Sequence, residues 1–532
     1  MHFLKRIHPS LLSLASGVLL SLAWPVSPLT FLIFIALIPL FWMEAQGISS
    51  RKFFLWIFLS MLVWNAATTW WVINSTVPGG ISAIVANSLL MCIPWLGFYN
   101  VKKRLGSLAG YLSIVLFWLT FEYIHLNWEL SWPWLTLGNV FAVQTDWVQW
   151  YEYTGTSGGS LWVLLVNILL FSFIKRTIAE RRLHVRTFSL SMLLIIFPLL
   201  LSYYVFKEVF RQRTPDNIVV VQPNVDPYSK FLESTEARQL LNLISLSDQM
   251  IDTNTKLVVW PETAIPLSIN EELAGTHPFL QPLRDFLNKH PNIRLLTGIE
   301  GFRLFNANNK TKDSRPIENS EMFYDAYNTA ALFDSARVQL YHKSKLVPGV
   351  ETLPSFLNFL GKWFEDFGGT AGGYARQKER TVLIADNSRY KIAPSICYES
   401  IYGEFMAGFI RNGANIICVI TNDGWWGDTP GYKQHKSYAK LRAIETRCWV
   451  VRSANTGISC FIDPYGNVIQ EKKWDVATSF KQSVPINERH ATFFVKNGDI
   501  ISRVASGMAI GMLFWLIGLS IRNFIARKKN SK

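Results

Sequence analysis

Ile392-Ala393-Pro394-Ser395-Ile396-Cys397-Tyr398-Glu399 is a short apolar run that closes on a thiol and an acid. Such a run reads as a buried strand, and residues 399–411 beyond it carry helical spacing. Two other segments share this organisation: Val258-Val259-Trp260-Pro261-Glu262 and Tyr341-His342-Lys343-Ser344-Lys345-Leu346-Val347-Pro348. Further β-rich runs lie at 218–221, 294–298, 329–333 and 416–421, and 433–449 reads as a helix. Strands alternating with helices over residues of about 207–500 predict an α/β domain large enough for its own core. In such folds the residues just past strand C-termini gather at one edge, so Glu262, Lys343 and Cys397 are candidates to meet there.

The surrounding chain is of another kind. Half of the 532 residues are hydrophobic, with 21 Trp and 36 Phe. Apolar runs of the length that crosses about 30 Å of hydrocarbon lie near 9–25, 29–44, 53–73, 81–101, 108–126, 158–174 and 188–206, and one more near 502–521. Basic residues test this count, because short translocated loops lack them. Lys5 and Arg6, Arg51 and Lys52, Lys102 to Arg104, the cluster at 175–186 and the tail from Arg522 to Lys532 fall on one side; 26–28, 74–80 and 127–157 contain no Lys or Arg. Both termini are therefore expected in the cytoplasm and the α/β domain outside it. The net charge of +14 is then topogenic rather than a sign of nucleic-acid binding. The expected organisation is a bundle of seven spans at 1–206, the domain at 207–500, and a final span with a basic tail at 501–532. The first run has no small-residue cleavage site after Trp24-Pro25 and is expected to remain as a span. Few ionisable residues lie in the spans, which argues against a transport path; Glu122 and His125 are expected at the interface.

An acid, an amine and a thiol suit acyl transfer: a thiolate attacks a carbonyl, a carboxylate takes the thiol proton, and an ammonium stabilises the oxyanion. A free thiol has a pKa of about 8.5, so it needs a base or a favourable field. Each residue also has a structural alternative, as a buried small side chain, a loop acid or a solvated lysine. The other cysteines, Cys92, Cys418, Cys448 and Cys460, show no CxxC pair and read as structural. No phosphate loop or metal cluster is present in the sequence, and no metal or organic cofactor is expected.

Four ordered motifs resolve the alternatives. WPETAIP at 260–266, YHKSKLVPGVE at 341–351, CYES at 397–400 and TNDGWWGD at 421–428 closely resemble the signatures of the nitrilase superfamily, and within it the branch of the apolipoprotein N-acyltransferases. The resemblance extends to the architecture of seven spans, a nitrilase-like domain and a last span. It implies an extracytoplasmic α-β-β-α sandwich joined to a polytopic helical membrane bundle of about eight spans, in a bacterial inner membrane. It further implies that Cys397 takes an acyl chain from a phospholipid and passes it to the amine of a diacylated apolipoprotein. By motif position Glu262 is the base, Lys343 the oxyanion-stabilising cation and Cys397 the nucleophile. The pattern Lys-x-x-Leu-Val-Pro selects Lys343 over Lys345. Glu351 matches a second essential glutamate, and Tyr398 and Glu399 match supporting residues. Two departures are Val350 in place of a glycine before Glu351, and Phe231 in place of a tryptophan after the first strand.

An enzyme of this kind must also reach lipid. Residues 356–367 have one broad apolar face at helical spacing, and Trp425-Trp426, between Gly424 and Gly427, is expected to expose two interface-favouring aromatics. His435 and Lys436 read as solvent-facing, and Arg442 and Glu445 as a pair supporting their helix. A monomer suffices, with membrane lipids as surroundings. A tethered amidase with water as acceptor and a non-catalytic scaffold are the competing readings.

Overall fold

Long apolar runs leave the backbone no partner but itself, and they fold as helices. The computed structural model describes residues 7–206, 215–231, 235–335, 337–353, 373–386, 388–486 and 491–530. Among these, six helices are long and apolar enough to cross a membrane: Ser50–Asn74, Val77–Leu105, Ser107–His125, Tyr151–Glu180, Val185–Phe206 and Ile500–Ile525. Pro9–Ala23 and Thr30–Ala45 are shorter apolar helices. The expected helix at 356–367 lies outside the described residues. The chain forms two compact units, one of Met1–Trp70, Ile81–Tyr204 and Asp499–Lys532, the other of Trp71–Gly80 and Val205–Gly498.

The run expected at 158–174 belongs to a helix of 30 residues, kinked at Gly155. Its first turns are rich in glycine and serine, and a Cβ at Gly159 would lie 1.8 Å from the Tyr151 hydroxyl; small residues let a polar-looking segment pack closely enough to stay helical. Glu122 and His125 are buried among neighbouring side chains of the helical unit. Glu122 accepts from Trp118 Nε1 at 2.9 Å and from the Leu137 amide at 2.7 Å. His125 Nε2 meets Asn87 Oδ1 at 3.0 Å, and Asn87 donates to Asn65 at 2.7 Å. The break near residues 35–37 is stitched by Asn167, which accepts from the Leu37 amide and donates to the Ile33 carbonyl, as unpaired backbone in an apolar medium requires.

The second unit is built on two sheets. The first orders its strands β14-β1-β2-β4-β6-β5, with β3 on β4 and β7 on β6; β1 is Asp216–Gln222, β2 Thr255–Val259, β3 Ile265–Asn270, β4 Arg294–Phe305, β5 Arg315–Pro316, β6 Phe323–Phe333, β7 Val338–His342 and β14 Thr478–Val484. The second runs β13-β12-β11-β10-β9-β8, with β8 Leu383–Ile384, β9 Lys391–Ile396, β10 Ile416–Thr421, β11 Trp449–Ala454, β12 Cys460–Ile462 and β13 Val468–Glu471. β9, β10 and β11 are parallel, and all six residues of β10 are buried, because a central parallel strand is covered on both faces. Helices Glu236–Asp248 and Gln281–Lys289 close the first sheet over a core that includes Val219, Val258, Trp260, Leu283 and Phe286. Helices Gly403–Arg411 and Pro430–Thr446 accompany the second. The sheets meet where Ser453 Oγ donates to the Val221 carbonyl and the Tyr390 hydroxyl to the carbonyls of Asp216 and Val484. Helix, sheet, sheet, helix is the expected layering.

Candidate active site

β2, β7 and β9 each end at one of the three candidates, and the register sets them together. β1, β2 and β4 run parallel, so the Pro261-Glu262 corner leaves the sheet beside Gly298 of β4. Gly298 donates to the Pro261 carbonyl at 3.0 Å. A Cβ at Gly298 would lie 2.3 Å from the Thr263 nitrogen and 2.7 Å from the Glu262 Cα, both backbone atoms, so only glycine permits this corner. We expect Gly298→Ala to lose about 1–3 kcal/mol of stability and, by displacing Glu262, about 10²-fold in transfer rate. Thermal unfolding and a single-turnover assay check both.

The Glu262 carboxylate is buried. Oε1 accepts from Asn328 Nδ2 at 2.8 Å and from Lys343 Nζ at 3.2 Å, and Oε2 accepts from the Asn422 amide at 3.0 Å. Lys343 also donates to Glu351 Oε1 at 2.7 Å. Burial alone would lower the Lys343 pKa, but the charges of Glu262 and Glu351 outweigh it and hold the ammonium well above the usual lysine value. Lys345, the rival lysine, instead lies over the Tyr402 ring, 4.8 Å from its centroid. Glu351 is fixed through Oε2, which accepts from the Val347 amide at 2.8 Å. The local turn that the sequence left open forms with Gly349 at φ 81°, one residue before the usual glycine position, and the Glu351 amide donates to the Val347 carbonyl at 2.9 Å.

Cys397 follows β9 at φ 52° and starts the turn Cys397–Ile401. A left-handed non-glycine residue costs on the order of 1 kcal/mol or more and is kept only where its surroundings enforce it. Burial, then the charge of Glu262, push the Cys397 thiol up, while Lys343 pulls it down. The resting group is thus a thiol rather than a thiolate. Glu399 is fully buried. Its carboxylate accepts from the Tyr341 hydroxyl at 2.7 Å, the Ser344 amide at 2.6 Å, the Lys345 amide at 3.1 Å and the Ile396 amide at 2.9 Å. It bolts the lysine loop to the cysteine turn. Tyr398 is buried with its ring edge-on to Tyr402, 5.3 Å between centroids.

The two tryptophans separate. Trp425 is exposed against Tyr228 at 5.3 Å, but Trp426 packs on Trp71 at 4.7 Å and on His435 at 5.6 Å, because the turn at Gly427 (φ 64°) folds it inward. His435 is not solvent-facing either. It is fully buried, with ring nitrogens at Asp423 and the Cys397 carbonyl. Arg442 and Glu445 are likewise buried, and Arg442 donates to the Ile401 carbonyl as well as pairing with Glu445. Lys436 bridges to Glu471 at 2.8 Å.

Sequence reasoning missed Asn328 and Lys230. Asn328 Nδ2 spans both glutamates, 2.8 Å from Glu262 and 3.3 Å from Glu351; a polar residue within the apolar run of β6 was the only signal. Lys230 is buried, donating to the Glu262 carbonyl at 3.0 Å and to Thr263 Oγ1 at 2.8 Å. Burial lowers its pKa to about 7 against the pull of Glu262 and Glu300. Between pH 7 and the ordinary lysine value of about 10.4 the unfolded chain binds more protons, so stability rises with pH across that window and this penalty is full below it. In Lys230→Met that slope is expected to vanish. The variant's stability relative to the parent should be highest near about pH 6 and fall towards about pH 9, with unfolding curves at both as the check.

Residues 218–482 match the family described as carbon-nitrogen hydrolase, and residues 16–169 the N-terminal domain of apolipoprotein N-acyltransferase. The chain is 32% identical to the apolipoprotein N-acyltransferase of Chlorobaculum tepidum over 94% of its own length and 95% of the relative's. It is 26% identical to that of Geobacter metallireducens over 86% of each chain. Among solved structures, an amidase from Nesterenkonia aligns with a TM-score of 0.35 at 14% identity, covering 55% of this chain and 95% of that one. Identity of this extent over both the helical region and the two-sheet domain means that the chain belongs to the apolipoprotein N-acyltransferase family, enzymes with a nitrilase-like domain joined to a multi-pass membrane region.

Proposed function

We propose that this N-acyltransferase takes an acyl chain from a phospholipid onto Cys397 as a thioester. It then delivers the chain to the N-terminal amine of an S-diacylglyceryl-cysteine apolipoprotein. The observation that carries this reading is the meeting of the Glu262 carboxylate and the Lys343 ammonium at 3.2 Å, with both acting electrostatically on Cys397. Glu262 accepts the thiol proton as sulfur attacks the ester carbonyl, and Lys343 holds the oxyanion. The ester C–O bond breaks, and the lysophospholipid oxygen leaves with the proton from Glu262. In the second half the acceptor amine attacks the thioester and Glu262 takes its proton. Collapse expels the thiolate, which recovers a proton from Glu262. Glu351 and Asn328 hold Lys343 and Glu262 at their working separation. Glu399 positions the two loops, Tyr398 flanks the thiol, and Trp425 and Trp426 border the substrate. Neither half-reaction calls on a metal or cofactor.

The domain works outside the cytoplasm, with both termini inside and the protein in a bacterial inner membrane as a monomer, divided at 1–206, 207–500 and 501–532. Basic residues at 51–52, 102–104 and 175–186 support that sidedness. Five long apolar helices precede the domain. With Pro9–Ala23 and Thr30–Ala45 as further crossings the number is seven; both numbers are odd and leave the domain on the same side.

The test is to incubate the purified full-length protein with phospholipid and follow intact mass. The expected result is an acyl adduct on Cys397 that a lipopeptide with a free N-terminal amine discharges. Discharge to water alone would make the protein a hydrolase, and no adduct would end the thioester reading.

A further inference from the structure

One buried polar cluster has no task in that reaction. Asp423, His435 and Arg452 are fully buried and come from three elements that meet at the Cys397 turn. His435 Nε2 lies 3.0 Å from the Cys397 carbonyl oxygen and 2.9 Å from Ser400 Oγ. A carbonyl only accepts, so Nε2 carries a proton and donates to it. Ser400 Oγ donates to the same carbonyl at 2.8 Å. On its other edge, His435 Nδ1 lies 2.9 Å from Asp423 Oδ1 and 3.1 Å from Arg452. Asp423 is paired with Arg452 and accepts from Thr421 Oγ1 at 2.9 Å, and Arg452 also donates to the Ile458 carbonyl at 3.1 Å. Two turns along the same helix, Arg442 donates to the Ile401 carbonyl. One helix therefore grips the cysteine turn at both ends.

Packing alone does not account for this arrangement, since buried charges are seldom better than apolar residues of similar volume. What the cluster controls is the direction of one carbonyl. Cys397 sits at φ 52°, a conformation disfavoured for any residue with a Cβ. The Cys397–Tyr398 peptide is planar, so a carbonyl drawn towards His435 turns the Tyr398 N–H to the opposite side and fixes the Cα from which the thiol projects. We infer that His435, backed by Asp423 and Arg452, is a positioning residue for acyl transfer, locking the Cys397 carbonyl so that the thiol stays aligned with Glu262 and Lys343. The inference rests on Cys397 being the acyl carrier.

The experiment follows acylation of Cys397 by intact mass over time, at several phospholipid concentrations, in the full-length parent, His435→Leu, His435→Gln and Ser400→Ala. Leucine fills the space without a donor, and glutamine keeps an N–H able to reach the carbonyl. Expected are a fall in acylation kcat of about 10²-fold in His435→Leu with KM unchanged, and recovery of at least about tenfold of that in His435→Gln. Ser400→Ala, which removes one of two donors, should slow acylation by about 3- to 10-fold. Acylation at the parent rate in His435→Leu would overturn the inference, as would equal slowing in the leucine and glutamine variants or a rise in KM at constant kcat. Should His435→Leu fail to fold, Ser400→Ala decides: slower acylation at constant KM supports the inference, and the parent rate overturns it. Failure of the thioester reading itself looks different, because the parent then shows no adduct on Cys397 at all.

Discussion

Cys397→Ala is expected to lower acyl transfer by at least about 10⁴-fold, the scale seen when a covalent nucleophile is removed, with no acyl adduct anywhere on the chain. Its fold should persist. The substitution removes one buried sulfur, a loss of about 1 kcal/mol, and alanine meets the left-handed backbone at Cys397 with no more strain than cysteine does. The measurement pairs turnover, with a labelled phospholipid and a lipopeptide acceptor, with thermal unfolding of the same preparation. Retention of more than a hundredth of the parent rate in a folded variant would mean that water or another group attacks the donor directly, and that the thiol is a bystander.

The second large effect is expected at Lys343, through both chemistry and stability. Lys343→Met withdraws the oxyanion's cation, a loss of about 10²–10³-fold for a single donor. It also leaves the buried carboxylates of Glu262 and Glu351 facing each other through Asn328. Glu262 also loses its charged partner at 3.2 Å, so the combined loss should exceed about 10³-fold. Breaking a buried ion pair from one side costs on the order of 3–5 kcal/mol. The double variant Lys343→Met, Glu351→Gln removes one of the stranded charges and should recover part of the stability but none of the activity. A single variant that keeps a tenth of the parent's acylation rate would show that the ammonium serves the fold alone.

How far the sequence carried can be judged residue by residue. β10 was legible to the residue because five consecutive apolar residues and a β-branched threonine between polar neighbours have one physical solution in an α/β domain. Glu262, Lys343 and Cys397 were candidates because each follows a strand, and the motifs around them singled them out. Glu351, Tyr398 and Glu399 came only through the motifs, since nothing local separates them from loop acids and a core tyrosine. His435 was misread, although residues 432, 435, 439 and 442 share one helix face and all four are buried. A histidine and an arginine on that face look solvated until a carbonyl and a carboxylate are known to wait opposite. Trp426 was misread for a related reason: a glycine-flanked turn can point its aromatics either way, and Trp71, 355 positions earlier, decides the direction here.

By itself the sequence determined two things: the division into apolar helices and an α/β domain, and the family motifs that contain the candidate residues Glu262, Lys343 and Cys397. Hydrophobic period, apolar run length and strand-terminal placement are local quantities and can be read along a line. Only the tertiary structure decided what holds those residues in place: Asn328 between the two glutamates, Gly298 under the Glu262 corner, Glu399 across two loops, and His435 on the Cys397 carbonyl. Each joins groups far apart in the chain, and a hydrogen bond depends on distance and direction in space, neither of which the order of residues contains.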